Sequence, residues 1–118
     1  MAQNGEDAVE LRVLRYFLAV ASEQNISKAA DLLHVTQPTL SRQIMDLEEE
    51  LGRKLFLRGG RRMALTEEGM FLRKRAQEIV ALADRTVEEF RAAEEELSGD
   101  VYIGGGESRA MRLIAGAA

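Results

Sequence analysis

One stretch of the sequence decides the fold: residues 27–44 read SKAADLLHVTQPTLSRQI. The pattern predicts two helices separated by a tight connection at His34-Val35. Ser27 and Thr36 are predicted to cap them, because a hydroxyl oxygen accepts hydrogen bonds from the unpaired N–H groups of a first helical turn. Pro38 is tolerated in the first turn of the second helix, where an N–H would have no partner anyway. We expect this helix to end before Gly52, with an apolar face formed by Leu40, Ile44, Leu47 and Leu51.

Further elements are predicted on both sides of this helix pair. Apolar residues at helical spacing predict an earlier helix over residues 10–21, and Asn25 offers the left-handed conformation that would end it. Downstream, residues 54–57 and 63–65 are short strand candidates, joined by a loop that contains Gly59-Gly60. Thr66 then caps a predicted helix that meets no breaker up to residue 97. The expected fold is mostly α: a winged helix-turn-helix with a two-stranded wing, followed by a long helix.

The long helix carries a heptad pattern. Its apolar and small residues recur in alternating steps of four and three, the spacing of a coiled-coil seam: Leu72, Ala76, Ile79, Ala83, Thr86, Phe90, Ala93 and Leu97. At roughly 1.5 Å per residue the helix is about 48 Å long and overshoots a small domain. We therefore expect part of this dimerisation seam to pair with a second copy of the chain. The alternative is that the seam packs along its own domain.

The charge is distributed unevenly along the 118 residues. The net charge of -4 alone argues against a nucleic-acid partner. However, residues 11–75 hold twelve Lys/Arg and eight Asp/Glu, a net +4, whereas residues 1–10 and 76–118 contribute -3 and -5. The absence of cysteine excludes disulfides and thiolate metal sites and fits a reducing cytoplasm. No apolar run approaches the roughly 20 residues that a membrane span needs, so we expect a cytoplasmic protein without membrane association.

The first turn of the second predicted helix has the chemistry of a major-groove reader. Glutamine can read adenine, arginine can read guanine or grip phosphate, and serine or threonine can reach either. The acids of this helix begin only at Asp46, where they do not repel phosphate. The alternative is an ordinary three-helix core with a polar surface. His34 is the single histidine and is interpreted as turn structure. No assembled nucleophile and base is visible, so we expect no metal, cofactor or enzyme activity.

These motifs follow one another in the order typical of LysR-type bacterial transcription regulators. Residues 14–69 resemble the N-terminal DNA-binding domain of that family. The matching segments are residues 17–21, 27–44, 47–52, 55–58 and 65–69. The long helix is similar to the family's linker helix, and residues 101–118 resemble the start of its effector-binding domain. The chain departs from the family at Asn25-Ile26, where glycine and phenylalanine are common, and at Leu57, where a polar residue is common.

The resemblance implies roles for individual residues. The base-reading positions would be Gln37, Pro38, Ser41 and Arg42. The residues on the DNA backbone would be Ser27, Thr36, Thr39 and Gln43, and those of the wing would be Arg58, Arg61 and Arg62. For Arg58, a structural ion pair with a helix acid is an equal alternative. The resemblance also implies double-stranded operator DNA as partner and a homodimer formed by antiparallel linker helices, with a tetramer as a further state of the full-length protein.

The expected domains are an N-terminal tail (1–9), a DNA-binding domain (10–65), a linker helix (66–97) and the start of an α/β effector domain (98–118). A strand predicted over residues 101–103 has no sheet partner, so we expect the sequence to be cut from a longer protein. By family resemblance, Ser108 would touch a small-molecule effector only in the full-length protein. Two other functions stay open: a different winged-helix regulator, such as a molybdate-responsive one, and a protein-interaction module that uses the acidic long helix.

Overall fold

The computed structural model describes residues 9–59 and 62–100, with side chains described up to residue 95. The elements along the chain are α1 (Leu11–Glu23), α2 (Ile26–Leu33), α3 (Gln37–Leu51), β1 (Phe56–Leu57), β2 (Ala64–Leu65) and α4 (Glu67–Asp100). The two strands are antiparallel, with Phe56 opposite Leu65 and Leu57 opposite Ala64. The predicted mostly helical fold with a two-stranded wing is confirmed. The chain divides into two compact units between Val80 and Ala81.

The core of the first unit lies where α1, α2 and α3 pack on one another. Its largest fully buried side chains are Phe17, Leu40, Ile44, Leu47, Leu55, Val13 and Val20. The rings of Phe17 in α1 and Phe56 in β1 pack with centroids 5.5 Å apart and planes tilted by 54°. Aromatic pairs in this tilted arrangement are favourable beyond their buried area. The wing is therefore fastened to the helical core and not attached only through its ends.

The start of α4 belongs to the same core. Ala76 is fully buried, and Leu72 and Val80 are partly buried against the core cluster. Leu72 and Ala76 of the predicted dimerisation seam therefore pack within their own unit, which is the alternative given for the seam, and their part in a dimer stays a prediction. The physical reason is that a heptad repeat records only that one face of a helix is apolar, and this part of the face covers its own domain.

Two helix ends differ from the predicted ones. α1 ends at Gln24, which adopts the left-handed conformation at φ 56° in place of Asn25. Asn25 instead caps α2, because its side-chain oxygen accepts a hydrogen bond from the N–H of Lys28 at 2.9 Å. Ser27 consequently lies inside α2 and is not its cap. His34 ends α2 at φ 60° and donates its N–H to the carbonyls of Ala30 and Asp31, so its predicted turn role is confirmed.

The caps of α3 and α4 follow the predictions. The Thr36 hydroxyl accepts from the N–H of Thr39 at 3.3 Å, and Gly52 ends α3 at φ 70°. The Thr66 hydroxyl accepts from the N–H of Gly69 at 2.9 Å and donates to the Lys54 carbonyl at 2.7 Å, which ties α4 to the chain before β1. α4 continues to Asp100, so the predicted end at residue 97 is wrong. α4 continues through Gly99 because a glycine inside a helix costs only about 1 kcal/mol and no proline follows to break the helix. None of the helices in the described ranges is long and apolar enough to span a membrane.

Candidate nucleic-acid interface

The first two turns of α3 present a polar, solvent-facing surface. Gln37, Pro38 and Arg42 are exposed and Ser41 is half-buried, while the core takes Leu40 and Ile44 of the same turns. Positions at these spacings share one side of a helix. The structure therefore brings the four predicted base-reading residues together on one face, although their contact with DNA stays a prediction.

Side-chain hydrogen bonds organise this face. The Ser27 hydroxyl donates to Oε1 of Gln37 at 3.0 Å, which links the first turn of α2 to the first turn of α3. The Thr36 hydroxyl donates to the hydroxyl oxygen of Thr39 at 2.9 Å. The Thr39 hydroxyl hydrogen is thus still available to a phosphate oxygen. Of the four residues predicted to lie on the DNA backbone, Ser27, Thr36 and Thr39 therefore form side-chain hydrogen bonds at the start of α3. The fourth, Gln43, is half-buried one turn beyond Thr39.

The electrostatics of this face favour anions. The Ser27–Gln37 bond places the N-termini of α2 and α3 close together, and each helix N-terminus carries a partial positive charge. Neither helix has an acidic residue in its first turn, and Lys28 and Arg42 are exposed. Unpaired N–H groups at helix N-termini bind phosphate oxygens readily. The surface can therefore accept a DNA backbone while its side chains reach base edges.

Arg58 has a structural partner. Its guanidinium donates to Oε1 of Glu48 at 3.0 Å, and Lys54 lies 4.0 Å from the same oxygen. The other carboxylate oxygen of Glu48 accepts the backbone N–H of Leu55 at 2.8 Å and that of Phe56 at 3.3 Å. Of the two interpretations of Arg58, the structure shows the ion pair with a helix acid. Arg62 is exposed, and Arg61 lies outside the described residues.

Glu48 is the residue that sequence reasoning missed. It is one of the acids in the later turns of α3, but its side chain is only 4% exposed. Leu51, predicted on the apolar face, is 41% exposed instead. A signal was present: Glu48 follows Leu40 and Ile44 in steps of four, which is the spacing of the buried face. Glu48 at a core position, with Arg58 ten residues later in a basic segment, indicates a buried ion pair between the two. Among the described residues, no cluster of three or more His, Asp or Glu could hold a metal.

A second surface of interest lies on α4 within the second unit. Leu82, Val87 and Phe90 are between 48% and 56% exposed, and Ala83 and Thr86 are half-buried between them. The Thr86 hydroxyl donates to the Leu82 carbonyl at 2.7 Å, so this polar group is already satisfied within the helix. The surface that these five residues form, called here the α4 stripe, is apolar and contiguous along one side of the helix. Exposed apolar surface of this kind marks protein contacts.

The rest of the predicted seam is less uniform. Ile79 is 47% exposed, whereas Ala93 is buried at 5%. The side chain of Leu97, and Ser108 with the predicted start of an effector domain, lie outside the described residues. The α4 stripe shares Ala83, Thr86 and Phe90 with the predicted seam and adds the exposed Leu82 and Val87 beside them.

Comparisons with known proteins give a consistent result. The model of the family described as bacterial regulatory helix-turn-helix protein, lysR family, matches residues 11–70. The transcriptional regulator BsdA of Bacillus subtilis is 44% identical over 97 residues, which cover 81% of this chain and 33% of BsdA. The transcriptional regulator BudR of Klebsiella aerogenes is 46% identical over 96 residues, 81% of this chain and 67% of BudR. This chain therefore spans only part of the length of either regulator.

The structural comparison points to the same group. The crystal structure of the BenM DNA-binding domain in complex with benA site 1 DNA has a TM-score of 0.69 and 48% sequence identity. The match covers 71% of this chain and 94% of that one. The similarity thus extends over nearly the whole of a domain that was crystallised on DNA.

Proposed function

The chain belongs to the lysR family of bacterial regulatory helix-turn-helix proteins and carries that family's DNA-binding domain, and we propose that the first two turns of α3 read its operator. Gln37, Ser41 and Arg42 contact base edges, and Pro38 packs beside them. Thr36, Thr39 and Gln43 contact the sugar-phosphate backbone. The observation that carries this proposal is the polar, acid-free face of α3 at two adjoining helix N-termini.

Fewer wing arginines are proposed to contact DNA than the sequence indicates. Arg61 and Arg62 are proposed to reach DNA, one of them in the minor groove, where narrow A·T-rich segments attract arginine. Arg58 is engaged by Glu48 and only 35% of its side chain is exposed, so we propose that it holds the wing against α3. The basic tip and the anchored base of the wing thus perform different tasks.

We further propose that two copies of the chain pair through the α4 stripe in an antiparallel arrangement. One helix-turn-helix domain reads a short half-site, and a dimer of such domains doubles the number of contacts with a palindromic operator. The stripe supplies apolar area without an unsatisfied polar group. Response to a small-molecule effector and assembly into tetramers are proposed only for a protein of the length of the full regulators that this chain matches in part. The site of action is the cytoplasm, where bacterial DNA lies.

The decisive experiment measures, by fluorescence anisotropy, the affinity of Arg42→Ala for a duplex that the wild-type chain selects from a randomised library. Loss of a good base contact costs about 1–3 kcal/mol, so we expect binding at least about tenfold weaker. Arg85→Ala, which removes an exposed arginine from the acidic second unit, is the matched control and should change affinity less than about twofold. Unchanged affinity of Arg42→Ala would show that this residue does not read the operator.

The same experiment separates DNA binding from a protein-interaction function of the acidic long helix. A folded dimer that selects no sequence from the library at moderate salt would favour the interaction module. A sequence-specific complex that weakens with salt favours the regulator, because neutralised phosphates release counterions.

A further inference from the structure

Ser27 and Gln37 form a hydrogen bond between two exposed side chains ten residues apart. The donor is the Ser27 hydroxyl and the acceptor is Oε1 of Gln37, at 3.0 Å. One residue lies in the first turn of α2 and the other is the first residue of α3. Both had been expected to face DNA independently. The structure shows instead that one side chain holds the other.

The bond limits what each group can offer to DNA. A serine hydroxyl has one hydrogen, so while Ser27 donates to Gln37 it cannot also donate to a phosphate oxygen. A glutamine amide has one oxygen acceptor and an NH2 group with two hydrogens. The bond occupies part of the acceptor and fixes which end of the amide faces α2. The NH2 group is left without a competing partner in this bond.

Resting on the function proposed above, we propose that Ser27 is a positioning residue that sets the base preference of Gln37. With its oxygen held toward α2, Gln37 presents N–H donors to the major groove. These donors suit acceptor atoms such as guanine N7 and O6 or thymine O4. The bidentate reading of adenine requires the amide oxygen as well as the nitrogen. Ser27 therefore biases Gln37 away from adenine without touching a base.

The test selects binding sites from a duplex library randomised over two helical turns, about 20 base pairs. The proteins are the wild-type chain, Ser27→Ala, Ser27→Thr, Gln37→Ala and the Ser27→Ala/Gln37→Ala double variant, each checked for folding by circular dichroism. We expect Ser27→Ala to change the base preference only at the base pairs where Gln37→Ala changes it. Adenine should be enriched there at least about threefold, which is less than the full discrimination that a bidentate contact with adenine provides. Ser27→Thr keeps the hydroxyl and should keep the wild-type preference.

The double variant completes the test. If Ser27 acts through Gln37, the double variant selects the same sites as Gln37→Ala alone. A uniform loss of affinity in Ser27→Ala, present also in the Gln37→Ala background, would show that Ser27 is a phosphate contact and overturn the proposal. The proposal is also overturned if Ser27→Ala selects the same base pairs as wild type while Gln37→Ala selects different ones. If neither wild type nor Gln37→Ala selects any sequence, the proposed DNA-reading function itself fails, and this inference fails with it.

Discussion

Replacing Glu48 by alanine should destabilise the first unit more than any other single charge removal on α3. The carboxylate accepts the backbone N–H groups of Leu55 and Phe56, at the start of the wing, and pairs with Arg58. Alanine removes all three interactions at once. No side chain of α3 is then left to join this helix to the start of the wing through a hydrogen bond.

The magnitude follows from what each partner loses. A buried N–H without an acceptor costs about 1–3 kcal/mol, and the Leu55 N–H is the shorter and better bond. The Phe56 bond at 3.3 Å is weaker and adds about 1 kcal/mol or less. Arg58 is 35% exposed and can turn to water, so its share is discounted to about 0–1 kcal/mol. Together these losses lower the free energy of unfolding by about 1–5 kcal/mol, with a central value of about 3 kcal/mol.

Thermal unfolding followed by circular dichroism measures this loss. For a domain of this size each kcal/mol lowers Tm by roughly 4–8 °C, so at the central loss of about 3 kcal/mol Glu48→Ala should melt about 12–24 °C below wild type. All proteins are compared at one concentration, because self-association would make Tm concentration-dependent. Glu49→Ala, which removes an exposed acid from the next position, is the matched control and should stay within about 0.5 kcal/mol of wild type.

Two further variants divide the effect between the backbone bonds and the ion pair. Glu48→Gln keeps one oxygen for the wing N–H groups but turns an NH2 toward Arg58, and Arg58→Ala keeps both backbone bonds. Both should fall between Glu49→Ala and Glu48→Ala in Tm. If Glu48→Ala melts with Glu49→Ala, the carboxylate does not hold the wing. If Arg58→Ala alone reproduces the full loss, the ion pair and not the backbone bonds carries the stability.

Three other predictions concern the junction with α4, the pairing surface and the wing tip. Gly69→Ala should lose about 1–3 kcal/mol of stability in urea denaturation, because its Cβ would run into the backbone carbonyl that precedes β1, whereas Gly59→Ala has open space and should be neutral. Phe90→Glu should convert the dimer to a monomer in sedimentation analysis, because it places a charge in the α4 stripe. Glu88→Ala, on the opposite side of α4, should leave the dimer intact. If both variants remain dimers, the α4 stripe is not the interface. Arg61→Ala should weaken binding to all DNA sequences alike and lower the slope of log affinity against log salt by about 1; an unchanged slope would place this arginine away from phosphate.

Local signals predicted the centre of the fold well. Thr36 caps α3 and Gly52 ends it because the capping hydroxyl and the left-handed glycine act within a few residues of their own helix. The same is true of Thr66 at the start of α4. The polar face of α3 could be predicted for a similar reason, since the buried positions Leu40 and Ile44 fix which side of the helix turns outward.

The features that the sequence left open or missed have different physical causes. At the start of α2, Asn25 and Ser27 are both good caps, and the sequence alone does not show which one the tertiary structure selects. The helical spacing places Glu48 on the buried face, but it does not show that the carboxylate accepts the N–H of Leu55, because that contact depends on where the chain before β1 packs. Ala76 belongs to the core of its own unit because packing, and not periodicity, decides what covers an apolar face.

The position of Glu48 gives α3 two tasks that are separated along its length. Its first turns carry no acid and offer Gln37 and Arg42 to solvent, whereas its last turns carry the carboxylate that holds the wing. Because both belong to one rigid helix, the base of the wing is fixed relative to the reading side chains. The ion pair also neutralises Arg58, so in the function proposed above only Arg61 and Arg62 of the three wing arginines meet DNA. With a slope of about 0.9 per neutralised phosphate, each wing should then contribute at most about two contacts to the salt dependence of binding.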